Sequence, residues 1–278
     1  MLRVQFAEER VLLALRVGDK DDGQARSLIY RIVLNDDLDQ PPELEITMDY
    51  AGWLSDFWRH PSRTTFLGGA DGELYVVDPS SFQEFYPQDR GVTQIYGRAL
   101  DDVFAVTISG MILHWNGSDW LSVGPTNETA LFAVGELKDK RIVAVGEKGT
   151  ILVQTRESWL RLEAPTNVRL TAVGQMSAAT YIGGEHGICL RLDDDLSLEP
   201  VPGPSFGTYG FADYRGRGLS ASQADGLMQI VDGELVPYAQ PLQPYGVAVQ
   251  GDLLAIYGDD NLAVFDGQNW RSINLDAI

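Results

Sequence analysis

Short segments in which apolar and polar residues alternate follow one another along the chain, separated by turns rich in Gly, Asn and Asp. Alternation at period two puts one face of a segment in a core and the other in solvent, so these segments read as half-buried strands. The pattern itself repeats. Ala144–Leu152 reads as a strand, a tight turn at Glu147-Lys148-Gly149, and a second strand. Versions of it recur at Phe104–Leu113, Tyr181–Leu190 and Leu219–Met228, with a looser copy at Phe66–Leu74. The turn glycines Gly72, Gly110, Gly149, Gly187 and Gly226 are 38, 39, 38 and 39 residues apart. A fixed period near 40 with strand patterning predicts an all-β propeller of four-stranded blades.

Seven blades fit the chain. The first would span Leu2–Tyr50, with strands near Leu2–Phe6, Arg10–Val17, Ser27–Leu34 and Glu43–Met48. Later blades begin at Trp53, Thr93, Leu131, Leu170, Tyr209 and Tyr245. In the last, Asp260-Asn261 replaces the turn glycine, and both residue types tolerate a left-handed turn. Six or eight blades stay open as alternatives, because the first repeat is irregular. Closure is open too: the first and last blades abut as complete sheets, or Leu2–Phe6 pairs onto the last blade. Trp120, Trp159 and Trp270 recur at the start of the outermost strand, a register that implies packing between blades.

Composition fits one propeller domain over residues 1–278: 44% of the residues are hydrophobic and 10% aromatic. Twenty-one basic against 40 acidic residues give a net charge of -19. Such a surface repels phosphate backbones and anionic membranes, so neither nucleic acid nor membrane is expected as a direct partner. It steers a basic partner inward. Cys189, the sole cysteine, excludes an intrachain disulfide and is expected in the core. The N-terminal segment lacks a signal-peptide pattern and no apolar run reaches membrane-span length, so the expectation is a cytoplasmic protein, monomeric before it meets a partner.

Catalytic signatures are missing. There is no nucleophile elbow, P-loop, dinucleotide fingerprint or His-Glu-x-x-His. His60, His114 and His186 fall at unmatched registers, and Asn35–Asp39 matches a calcium loop poorly, so no cofactor or metal is expected. Topology does suggest a binding surface. The turns between second and third strands share a face with the links between blades. Asp225, Asp259, Asp260, Asp19, Asp21, Asp22 and Asp71 lie in such turns of blades six, seven, one and two, which ring closure makes consecutive. Trp53, Phe206, Tyr209 and Tyr245, at blade entries, would border the same face. An acidic arc with aromatic anchors suits a protein interface.

Val145–Leu152, with Trp159 and Leu131–Gly135, resembles the repeats of bacterial BNR-like propellers, a group that includes photosystem assembly-factor-like proteins. The resemblance covers roughly Val92 to Leu192 and implies a propeller. The sialidase aspartate box and the WD-repeat signature are absent. Three functions are then in view. The leading expectation is a noncatalytic, protein-binding propeller: a bacterial immunity protein of a type VI or contact-dependent secretion system that occludes a basic toxin, such as a nuclease. The others are an assembly or scaffolding factor and an enzyme working in the central channel.

Overall fold

The computed structural model describes residues 1–19, 25–86, 91–125, 129–176, 179–239 and 241–275. It is a seven-bladed β-propeller, each blade a four-stranded antiparallel sheet in chain order. Blade one holds β1 (Leu2–Glu8), β2 (Val11–Asp19), β3 (Ala25–Val33) and β4 (Glu43–Tyr50). Blade two holds β5 (Leu54–Arg59), β6 (Thr65–Gly69), β7 (Leu74–Asp78) and β8 (Ser81–Phe85). In blade three these are β9 (Val92–Ala99), β10 (Asp102–Thr107), β11 (Ile112–Trp115) and β12 (Trp120–Ser122). Blade four follows with β13 (Leu131–Glu136), β14 (Ile142–Gly146), β15 (Ile151–Gln154) and β16 (Trp159–Leu162). Blade five has β17 (Leu170–Gln175), β18 (Thr180–Gly184), β19 (Cys189–Leu192) and β20 (Leu198–Pro200). Blade six has β21 (Gly210–Tyr214), β22 (Arg217–Ala221), β23 (Leu227–Val231) and β24 (Glu234–Ala239). Blade seven ends the ring with β25 (Gly246–Gln250), β26 (Leu253–Tyr257), β27 (Leu262–Phe265) and β28 (Trp270–Ile273). No α-helix occurs among the described residues, and none is long and apolar enough to cross a membrane.

The first strand of each blade lines the axis beside the first strand of the next, and β25 meets β1. β1 pairs with β2 in its own sheet, so the ring closes by two complete blades abutting rather than by a shared strand. The core is divided accordingly. Seven apolar clusters fill the seven seams between neighbouring blades, and the one joining Leu2, Val4 and Phe6 to Leu253, Leu262 and Ile273 closes the ring. Cys189 is a buried member of the seam between blades five and six, where burial pushes its thiol up to about 12.

The repeated turns explain the glycine period. Gly72, Gly110, Gly149, Gly187 and Gly226 all have positive φ. At Gly149 the need is double: φ is +64°, and a Cβ would lie 2.1 Å from the Thr166 carbonyl oxygen. Blade seven departs from expectation. Neither Asp260 nor Asn261 is left-handed. There the Gly258 N–H reaches the Asn261 carbonyl at 2.8 Å, closing a four-residue turn that needs no positive φ. The recurring tryptophans do pack between blades. Trp120, Trp159 and Trp270 each join the seam cluster shared with the preceding blade.

Candidate functional site

The turns between second and third strands meet the inter-blade links on one face, held by backbone bonds. Ala70 N–H donates to Trp53, Ile108 to Gly91, Glu147 to Ala130 and Gln223 to Pro244. This face carries the residues that the sequence singled out, in differing states. Asp71 and Asp259 are exposed. Asp260 is also exposed, but lies 3.7 Å from the Arg16 guanidinium on β2, across the ring closure. The Asp225 carboxylate accepts the backbone N–H groups of Ser205 and Phe206 at 2.7 and 2.8 Å, so it fastens the link entering blade six. Asp19 ends β2, and its side chain lies outside the described residues, as do Asp21 and Asp22.

Trp53 and Phe206 project from this face, 40% and 49% exposed, and Ile108, which the sequence reading missed, joins them at 51%. Tyr209 and Tyr245 point to the axis instead. Their rings lie 5.1 Å apart, and Gln223 donates to the Tyr245 hydroxyl at 2.8 Å. Together with Asp259, Phe132, Thr93, Thr171, Ser55 and Arg3 they line a cavity of about 380 Å³ at the mouth of the axial channel, to which all seven blades contribute.

The chemistry of that mouth follows from where its hydrogen-bond donors go. Ser55, Thr93 and Thr171 each spend their hydroxyl proton on a backbone carbonyl: Gly68 at 3.0 Å, Leu131 at 2.7 Å and Thr208 at 3.1 Å. Their oxygens therefore face the cavity as acceptors. Both nearby guanidinium groups are engaged. Arg3 lies 3.7 Å from Asp56, and Arg169 stacks over Phe132 at 4.7 Å while bonding Glu147 and Glu185. Asp56 is buried and accepts from the Ile95 N–H at 2.8 Å; burial raises its pKa to about 6, with Arg3 opposing. The Met1 ammonium, also at the cavity, donates to the Val17 carbonyl at 3.1 Å; the rest of the wall is aromatic and acceptor-rich, a setting for hydrogen-bond donors.

The three histidines stay apart. His60 bonds Ser62 in the turn after β5, His114 stacks on Phe104 with Nε2 2.9 Å from Asp102, and His186 sits in a turn of blade five. In the Asn35–Asp39 loop the polar groups bond one another and their neighbours: Asp37 accepts from the Asp39 N–H, and Asn35 donates to the Pro41 carbonyl.

No family model matches this sequence, and no curated protein matches it significantly. Solved structures do match in shape. The WD40 β-propeller domain of Doa1 superposes with a TM-score of 0.78 at 11% identity, covering 96% of this chain and 92% of that one. Streptogramin B lyase gives 0.71 at 14% identity over 80% and 83%. PorZ, a surface component of the type-IX secretion system of Porphyromonas gingivalis, gives 0.65 at 12% identity over 94% of this chain and 38% of that one. The likeness is one of fold. At such identities a shared propeller hosts unrelated functions, so function rests on the site.

Proposed function

We propose that this chain is a noncatalytic, protein-binding propeller that receives a basic partner on the face of its inter-strand turns. One observation carries the reading: exposed carboxylates (Asp71, Asp259, Asp260) and exposed apolar anchors (Trp53, Ile108, Phe206) share a face with an aromatic, acceptor-rich axial mouth. The anchors supply contact energy and the net charge of -19 supplies steering. Arg3 and Arg169 beside the mouth, and Arg16 next to Asp260, are already paired with acids; the exposed Lys148 lies in the turn of blade four, while Asp71, Asp259 and Asp260 lie in blades two and seven. In its finer form the partner is a basic bacterial toxin whose active site the propeller covers, the role of an immunity protein.

The test is the association rate of the partner recovered from the native host at low salt. Raising ionic strength from 0.05 to 0.5 M is expected to slow association by about tenfold or more. A triple change, Asp71→Asn, Asp259→Asn and Asp260→Asn, is expected to slow it similarly at low salt while sparing dissociation. A salt-insensitive or acidic partner overturns the reading. A toxin neutralised by the propeller in a growth-protection assay supports the finer form, and stable residence in a multisubunit complex without protection overturns it.

A further inference from the structure

The outermost strands of four blades carry an aromatic residue at one register, at or next to their first position. Phe82, Trp120 and Trp159 each stand ten residues after a turn glycine (Gly72, Gly110 and Gly149), and Trp270 occupies the same position in blade seven. Each pairs with the end of the third strand: Val77 with Phe82, Trp115 with Trp120, Gln154 with Trp159, Phe265 with Trp270. The three tryptophans are half-buried in the seam with the preceding blade. Phe82 is 58% exposed.

What surrounds Phe82 is aromatic and acidic. Its ring lies 5.4 Å from that of Tyr75, which meets Tyr50 of blade one edge-on at 5.6 Å. The Tyr50 and Tyr75 hydroxyls are 2.8 Å apart, and Tyr50 lies 3.3 Å from Glu73 Oε1. Glu73 is only 5% exposed, and its Oε2 is buried with no hydrogen-bond partner among the described residues. Phe82 and Glu84 alternate along β8 and so face the same way, and Tyr86 just beyond the strand reaches Glu84 with its hydroxyl. Tyr86 is 67% exposed and donates to Oε1 of Glu84 at 2.6 Å. Arg26, next to the pairing partner of Tyr50, is held by the Asp49 carboxylate.

We propose that the outer seam between blades one and two seats an arginine side chain of a partner protein, stacked against Phe82 and Tyr86 and paired with Glu84. A planar guanidinium can lie on an aromatic ring and fork onto a carboxylate at once, which a point-charge ammonium cannot. The Glu73 carboxyl lies beneath the tyrosines, bonded by Tyr50. The site rests on the preceding reading only for the basic character of the partner; its chemistry is local, and it extends the contact from the turn face to the rim of blade two.

The probe is the peptide acetyl-Gly-Arg-Gly-amide, with the citrulline peptide as an uncharged control of the same shape, titrated into the whole protein and followed by NMR of the aromatic side chains. The arginine peptide is expected to shift Phe82, Tyr86 and Tyr50 saturably, with an affinity about fivefold or more above that of citrulline. Phe82→Ala and Glu84→Gln, both at exposed positions, are each expected to weaken it by about fivefold without moving the urea midpoint. Equal citrulline binding, or no shifts at the seam, overturns the proposal. Shifts confined to Tyr209 and Tyr245 overturn it too while leaving the turn-face reading standing. Saturable seam binding in a protein whose native partner proves acidic would sustain the site and sink the broader function.

Discussion

Two seams of the same ring are closed in different places. Between blades three and four, Gln94 accepts the Val134 N–H at 2.7 Å near the axis, an apolar cluster from Phe104 to Leu152 fills the middle, and Trp159 donates to the Val123 carbonyl at 2.8 Å at the rim. Between blades one and two the axis is tied more tightly. Gln5 bonds both the N–H and the carbonyl of Arg59, at 2.9 and 3.0 Å, and Arg3 faces Asp56. The middle is filled from Leu13 to Tyr75, but Phe82 at the rim is left in solvent. In the first seam Val123, which continues β12 by bonding Ile112, offers its carbonyl to Trp159, whereas at the second Phe82 has no ring nitrogen to donate and its ring meets Tyr75 of its own blade. A repeat thus keeps its register while one copy is released from packing.

The comparison breaks most visibly if the two rim aromatics are removed in turn. Trp159→Ala loses a half-buried indole and its bond to Val123, and is expected to cost about 3–4 kcal/mol in urea unfolding. Phe82→Ala loses mostly solvated surface and is expected to cost less than about 0.5 kcal/mol. Comparable losses would show that Phe82 is a packing residue after all, and the arginine site would lose its premise.

Much of this is legible in the sequence, for a physical reason. A turn that forces positive φ demands glycine, so Gly72, Gly110, Gly149, Gly187 and Gly226 write the blade period into the sequence. Packing in a shared register does the same for Trp120, Trp159 and Trp270. Other features depend on neighbours far away in sequence. That Asp225 fastens the Ser205–Phe206 link, or that Asp260 meets Arg16, appears only once the ring is closed. Phe132 at the axial mouth and Arg169 stacked on it were missed, although the register that places Thr93 and Thr171 there also holds Phe132. Phe82 stood in the tryptophan register all along, but its exposure depends on what the neighbouring blade lays beside it.

The axial side of the open seam can be sharpened by pH. Asp56 ionises near 3.8 when solvated and at about 6 in the fold, chiefly because it is buried. Between those values the folded chain holds a proton that the unfolded chain has released, so raising the pH through the window favours unfolding. Below pH 4 both states are protonated and the penalty vanishes; above 6 it is complete, on the order of 2–3 kcal/mol. Asp56→Asn keeps an acceptor for the Ile95 N–H without the charge. Its stability relative to wild type should rise by about that amount from pH 4 to pH 7 in urea titrations. A difference that stays flat with pH would mean that Arg3 holds Asp56 ionised in the fold, and that the seam is tied by a charge pair rather than by a buried acid.

The smallest effect separates the two axes directly. Gln5→Ala strands both the N–H and the carbonyl of Arg59, while Gln94→Ala strands one N–H, that of Val134. Each lost bond is worth about 1 kcal/mol, so the first change should cost about 2 and the second about 1. Hydrogen exchange adds a local readout. The Arg59 amide should exchange faster in Gln5→Ala, because the outer side of that seam is spanned by the Tyr50–Tyr75 pair and lacks a tryptophan clamp. The Val134 amide should lose its side-chain acceptor yet stay better protected, since Trp159 still clamps the rim. Equal exposure of the two amides would mean that the apolar middle alone holds a seam closed, and that the tryptophan register contributes packing without acting as a clamp.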